Sequence, residues 1–295
     1  MVSKFKIDQI FILPFLLLVF YAFNFLHNFF VLGNELSFFT ILFSCIIIEF
    51  FIRKAKNGDD IYMRPISAMQ AMEEAVGRAT EMGNSVLYVP GISGLDEIDT
   101  ISGVIILGHI AGMTAEYEAD LHVPCCVPIV MEAARESCKE SYLKKGRPDL
   151  YNDSMVHYVT DDQFAYAAGV NGIMLREKPA AVFYQGKFYA ESLLLAETGS
   201  SIGAIQIAGT GSSSQIPFFV TACDYVLIGE EFYAASAYLS GSPEMIGSIK
   251  GQDYVKLFCM IFILFVVMVS IFNYLNLLSI DISNIFKINI MDGLK

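Results

Sequence analysis

Three long apolar runs frame the chain, and between them the hydrophobic pattern shortens and alternates. Residues 9–32 are dominated by Phe, Leu, Ile and Val with no charge inside, and Asn24, His27 and Asn28 mark the far end. A helix needs about 20 apolar residues to cross a hydrocarbon core, and this run has that length. A cleaved signal peptide is the competing reading, but the run exceeds a normal h-region and no small-residue cleavage site follows it. Gly33, Asn34 and Glu35 form a short polar turn before a second run at 36–52, so the two read as a helical hairpin. A third run of the same character covers 255–278.

The segment between mixes two periods. Over 66–82, Ala68, Met69, Met72, Ala75, Val76 and Ala79 fall on one face of a helix. SVLYV at 85–89 reads as a short buried strand, and 95–119 as a helix with Gly108 and Gly112 on one face. A strand at 104–107 is the alternative there, because VIIL fits either period. Further strands are expected at 121–127, 155–159, 180–184, 204–208 and 225–228, with residues 146–153 a loop. Helices are expected at 129–145, from an Asp161 N-cap to about 178, and at 188–198, 215–222 and 230–240. Six apolar strands, each followed by a helix, specify a mostly parallel sheet covered on both faces. The expected class is therefore α/β, Rossmann-like and doubly wound, with three transmembrane helices added. The chain would divide into a helical hairpin (1–56), an α/β domain (57–252), a third span (253–278) and a tail (279–295). The tail alternates Ile with polar residues in a period too mixed to assign.

Composition separates the same parts. Of 295 residues 55% are hydrophobic, yet the net charge is −12. High hydrophobicity excludes intrinsic disorder, and 31 acids against 19 bases argue against nucleic-acid binding. Residues 59–250 hold 25 of the acids and 11 of the bases, so this segment carries −14 and the rest +2. Lys4 and Lys6 precede the first run, Arg53, Lys54 and Lys56 follow the second, and Lys250 and Lys256 flank the start of the third. The positive-inside rule then places the N-terminus and the acidic segment in the cytoplasm and the tail outside a plasma membrane. Glu49 stands four residues before Arg53, the spacing of an interfacial ion pair. In a reducing compartment the six scattered cysteines are expected as free thiols. His122, Cys125 and Cys126 lack zinc-type spacing, and HVPCCVP reads as a buried strand.

The stretch FYAESLLLAETGSSIGAIQIAGTGSSSQIPFFVTACDYVLIGEEFYAASAYLSG at 188–241 resembles the C-terminal signature of an uncharacterised family of prokaryotic membrane proteins. DTISGVIILGHIAGMTAEYEADLHVP and TDDQFAYAAGVNGIMLREKPAAVFYQGKFYAES fit the same resemblance, which spans about 64–241. The family's shared region is a domain of unknown function. The resemblance implies membrane attachment and brings with it no activity, cofactor or catalytic residue.

Ligands of open parallel sheets bind outside the carboxyl ends of the strands. Gly209, Thr210, Gly211, Ser212, Ser213 and Ser214 would follow the fifth strand and precede a helix, which suits an anion. The stretch is neither a P-loop nor a GxGxxG fingerprint, and a tight serine-capped turn is the favoured explanation, since Gly-Ser turns are common at such positions. Gly91, Ser93 and Gly94 would sit in the loop after the first strand. Asp161, Asp162, Glu230 and Glu231 could supply oxygen ligands for a divalent cation, or simply favour helix N-termini. No GxSxG elbow occurs, and His109, His122 and His157 show no Ser or Cys partner in the sequence. Glu191 and Glu197, six apart on one helix, would lie on different faces. Helices rich in small residues suggest a homo-oligomer, with denser packing inside the domain as the plain alternative. The leading expectation is a membrane-anchored, homo-oligomeric scaffold or ligand sensor. The alternatives are a metal-dependent enzyme acting on a nucleotide or phosphorylated metabolite, and an accessory subunit of a larger membrane complex.

Overall fold

The computed structural model describes residues 35–58 and 66–274. The expected first span at 9–32, the last residues of the third and the C-terminal tail lie outside the described residues. The chain divides into two compact units, one of residues 63–241 and one of the residues on either side.

In the α/β unit, α2 (Ser67–Met82) leads into β1 (Val86–Val89) through Gly83, whose left-handed φ of 65° lets its N–H reach back to the last-turn carbonyls. Then α3 (Ile98–Tyr117), β2 (Leu121–Cys125), α4 (Pro128–Lys144) and β3 (Val156–Tyr158) follow. They are succeeded by α5 (Gln163–Glu177), β4 (Ala181–Gln185), α6 (Glu191–Ser201), β5 (Ile205–Thr210), α7 (Ile216–Ala222), β6 (Tyr225–Ile228) and α8 (Glu230–Ser240). The segment 98–117 is helix throughout, so VIIL belongs to α3 and not to a strand.

All six strands are parallel, in the order β3-β2-β1-β4-β5-β6. This is the strand order of doubly wound dinucleotide folds, and it reverses direction between β1 and β4. Side-chain alternation explains why the strands are nearly continuous apolar runs. Val86, Tyr88, Val123, Phe183 and Ile207 pack on one face beneath α2, α3, α4 and α8. Leu87, Val89, Val182, Tyr184 and Ala208 pack on the other beneath α5, α6 and α7. A strand buried on both faces has no polar side to show.

The other unit contains α1 (Glu35–Lys56) and α9 (Pro243–Tyr274), with α9 starting twelve residues before its expected apolar run. The two helices run antiparallel. Lys56 meets Glu244 at 2.9 Å, and the rings of Phe51 and Tyr254 stack at 4.6 Å, as far apart as those of Phe43 and Phe258. Between these contacts the backbones touch. A Cβ on Gly247 would sit 2.4 Å from Ile52 Cα, and one on Gly251 2.7 Å from Ile48 Cα. These glycines form the GxxxG spacing by which apolar helices approach closely. Glu49 and Arg53 pair at 2.6 Å within α1.

Among the described residues two helices are long and apolar enough to cross a membrane, α3 and the stretch Pro243–Phe272 of α9. Burial separates them. The apolar window of α3 is 67% buried, as a core helix of the α/β unit, whereas that of α9 is 6% buried.

Substituting Gly247 by Leu should force α1 and α9 apart, a cost of about 1–3 kcal/mol for overpacking. In mixed-micelle denaturation the transition of this unit should move to lower denaturant. The Cβ position of Gly77, in α2, has open space around it. Gly77→Ala should therefore raise stability by about 0.5–1 kcal/mol through helix propensity alone.

Candidate functional site at the carboxyl edge

Every helix that follows a strand in this topology begins at the carboxyl edge of the sheet, so loops and first turns converge there. The crevice between β1 and β4 is the natural ligand position. Here the backbone fills it. Gly91, at φ 77°, lies so close to the loop after β4 that a Cβ would meet Lys187 O at 2.6 Å. Gly186, at φ 138°, is equally close to Pro90 O, at 2.7 Å. The Ile92 N–H donates to Lys187 O at 3.0 Å and ties the loops together. Gly103 brings α3 down onto Gln185 O, which its Cβ would approach to 2.6 Å. Only glycine fits these positions, because the obstructing atoms are main chain.

The expected ligand residues are gathered but already engaged. β5 extends to Thr210, so Gly209 and Thr210 are strand residues and not a loop, paired with Gln185, Leu227 and Ile228. Gly209 O accepts from the Gly186 N–H at 2.9 Å, and Thr210 O from the Gly229 N–H at 3.0 Å. Held extended in the ladder, the two residues have the conformation of a strand and not that of a phosphate-binding nest. Beyond the strand, the Gly211 N–H donates to Asp99 Oδ2 at 3.2 Å, and the Ser212 N–H to Thr210 Oγ1 at 3.2 Å. The hydroxyls of Ser212 and Ser214 share a bond at 3.1 Å, while Ser213 is exposed. On the other side, Ser93 O accepts from Thr100 Oγ1 at 3.3 Å, and Gly94 O from the Glu97 N–H at 3.3 Å. Both glycine-rich loops therefore close on the first turn of α3.

Asp99 is the centre of this closure. It is 7% exposed, and its second oxygen accepts a very short hydrogen bond from the Tyr233 hydroxyl on α8. Burial, then the Asp99 bond, holds the Tyr233 phenol well above its ordinary range, so the hydroxyl stays protonated and donates. Lys187 completes the rim by pairing with Glu97 at 2.5 Å. The chain's own carboxylate thus takes the backbone N–H that an incoming anion would use.

The metal candidates do not form one site. Asp161 and Asp162 follow β3, and Glu230 and Glu231 follow β6, the two outer strands. Five strand spacings separate the outer strands, about 24 Å. Among the described residues no three His, Cys, Asp or Glu side chains converge as a metal ion requires. Asp162, rather than Asp161, caps α5, accepting from the Ala165 N–H at 2.8 Å.

Burial raises the thiol pKa of Cys125 to about 12, of Cys126 to about 11 and of Cys138 to about 12, so all three remain protonated. Glu191 is fully buried, accepting from Gln163 Nε2 at 2.6 Å and from the Tyr189 N–H at 2.9 Å, whereas Glu197 is exposed. His157 lies half-buried on edge strand β3.

Sequence reasoning missed Asp99 and Tyr233. Asp99 and Gly211 are 112 residues apart, and Asp99 and Tyr233 are 134 apart, so no local spacing announces their meeting. The one available signal was an acid in the first turn of an otherwise apolar helix. A different miss is the grouping of His109 with Ser137 and Ser141 along one cleft between α3 and α4. Ser137 Oγ donates to Val104 O at 3.2 Å, so it is not held by the imidazole as a nucleophile would be.

Architecture thus defines a doubly wound α/β protein whose ligand crevice is closed from within. The chain belongs to the family whose model matches residues 26–280, described as Domain of unknown function (DUF6754). No curated protein and no solved structure matches the chain.

Removing the Tyr233 hydroxyl by Tyr233→Phe should cost about 1.5–3 kcal/mol, the range for a hydrogen bond to a charged group. Chemical denaturation should show this loss without a change of slope. Histidine titration is a separate effect. Burial, the leading cause for each, lowers the pKa of His109 and His157 from the ordinary 6.5. The unfolded chain therefore binds these protons first, and stability should be full above about pH 6.5 and fall as the pH drops below it. Replacing both by Gln should remove that part of the pH dependence of the unfolding midpoint.

Proposed function

We propose that the chain is a membrane-anchored, non-catalytic assembly protein. Three helices hold an acidic α/β domain at the cytoplasmic side of a plasma membrane, and that domain associates with copies of itself through the carboxyl edge of its sheet. One observation carries the reading: large apolar side chains stand exposed around this edge. Ile98 at the start of α3 is 67% exposed, Ile129 in α4 61%, and Phe164 in α5 57%, with Tyr189 and Ile228 completing the rim. A crevice filled by backbone and an apolar rim together suit protein contact better than a nucleotide. Membrane anchoring is supported by the solvent-facing apolar surface of α9 and by the basic residues at the ends of the runs.

A nucleotide-handling enzyme is the weaker reading, because Asp99 already takes the Gly211 N–H that a phosphate would need. The domain's −14 charge opposes self-association, so added salt should strengthen assembly by screening it. Mass photometry of the full chain in detergent is expected to show an oligomer that dissociates in the Ile129→Asp, Phe164→Asp double variant. Both side chains are exposed, so the unfolding temperature should stay within a few degrees. A wild-type protein that is monomeric at all usable concentrations sinks the proposal.

A further inference from the structure

The antiparallel helices α1 and α9 carry apolar runs that end at different depths. Their register is set by the contacts of Lys56 with Glu244, Ile52 with Gly247, Ile48 with Gly251 and Phe43 with Phe258. On α1 the apolar side chains continue to Ile52, just before Arg53, Lys54 and Lys56. Beside that stretch α9 places Lys250, Gln252, Asp253 and Lys256, and its own apolar run begins only beyond them. The distance from Lys250 to Lys256 is about 9 Å of helix. Over this depth one flank of the pair has the character of a membrane helix and the other that of a surface helix.

Exposure follows the same division. Phe50 is 60% exposed and Ile46 43% on α1, while Gln252, Asp253 and Lys256 are exposed on α9. Neither water nor hydrocarbon suits both flanks. Seating the pair deep enough to cover Phe50 takes Lys250 and Asp253 out of water, and raising it to free them leaves Phe50 and Ile46 wet. A lipid headgroup layer suits both. It is about 6 Å deep on each side of the hydrocarbon, and lysine stems reach along it with their ammonium groups in water. Tyr254, exposed and stacked on Phe51, is a residue type enriched at that level.

Charge gives the band a sign. Residues 44–56 and 244–256 hold five bases against three acids. Glu49 is taken by Arg53 and Glu244 by Lys56. Lys54 and Lys250 have no ionic partner among the described residues. Asp253 stands three residues from both Lys250 and Lys256 and offsets part of their charge. The carbonyl end of α1 lies beside the N–H end of α9, so the two helix dipoles cancel. The −14 of the α/β domain works against an anionic surface, but at physiological salt that repulsion is screened within about 8 Å.

We infer that this band sits in the headgroup layer and selects anionic phospholipid. The phosphate groups meet Lys54, Lys250 and Lys256, and the upper acyl chains meet Ile46 and Phe50. The inference rests on the membrane anchoring proposed above and not on self-association.

The chain contains no tryptophan, so Phe50→Trp gives it a single fluorophore in the band. The test measures quenching of that tryptophan in the full chain, reconstituted in vesicles of mixed phosphatidylcholine and phosphatidylglycerol with one or the other lipid brominated. Bromine near the headgroup should quench more than bromine near the chain ends. Each base at an anionic surface favours the anionic lipid about fivefold, and Asp253 offsets part of this, so phosphatidylglycerol should be preferred at least about threefold. Lys54→Gln, Lys250→Gln and Lys256→Gln together should bring the preference to about one. Lys139→Gln with Lys144→Gln, both exposed in α4, should leave it unchanged. Salt at about 1 M, where the screening length is about 3 Å, should also reduce the preference, so the test does not depend on the triple variant folding. Equal quenching by the two lipids overturns the inference. So does a preference that survives the triple variant, or one that falls as far in the α4 variant. A chain that floats with the vesicles but is quenched by neither lipid overturns the inference and leaves the anchoring standing. A chain that does not float overturns both.

Discussion

Where β1 and β4 part company, main chain touches main chain, and the carboxyl edge is organised around that contact. Gly91, Gly186 and Gly103 each stand where a single methyl group would strike a carbonyl oxygen. Because the loops cannot separate there, Lys187 is carried over to Glu97 and α3 is drawn onto the end of β4. The first turn of α3 then lies close enough for Asp99 to reach both Gly211 and Tyr233. A fold that usually opens a crevice at this point has closed it with three glycines and one carboxylate. The same glycine chemistry that lets other sheets approach a phosphate here lets two protein segments approach each other.

The two units solve burial in different ways. In the α/β unit the sheet hides both of its faces, and α3 is apolar because most of its length is buried in the core of that unit. In the other unit α1 and α9 give each other only a narrow seam, with the remainder of their apolar surface facing outward. Both helices are long and apolar enough for a span, α3 with 20 residues at a mean hydropathy of 1.4 and α9 over 30 residues at 2.8, and burial is what separates them. What differs is context: α3 packs within the core of the α/β unit, whereas among the described residues of its own unit α9 has only α1 against it.

Much of the fold was legible in the sequence for physical reasons. Short apolar runs punctuated by Gly, Asp and Pro have few arrangements other than parallel strands between helices, and β6 and α8 fall within the residues expected for them. Errors gathered at the ends of elements. β5 runs two residues past its apolar core because Gly209 and Thr210 extend the ladder despite poor strand propensity, which turned an expected loop into sheet. Asp162 displaced Asp161 as cap by one residue, a shift that no composition rule resolves. The site was less legible than the fold. Gly91, Ser93, Gly94 and Gly211 do lie in the loops after β1 and β5, since loops advertise their glycines. Asp99 and Tyr233 were not anticipated, because their meeting depends on strand order, and strand order is a global property that local patterns do not carry. The GxxxG of α9 was readable but lies just before the apolar run, where a search for spans does not look.

The length of α9 has a mechanical consequence. A helix of 32 residues is about 48 Å long, while the hydrocarbon core of a bilayer is about 30 Å thick. With α9 seated in a membrane, about 18 Å of continuous helix stands clear of the hydrocarbon. Under the proposed anchoring, a tilt or axial rotation of the seated part would be carried along the continuous helix toward its first turn.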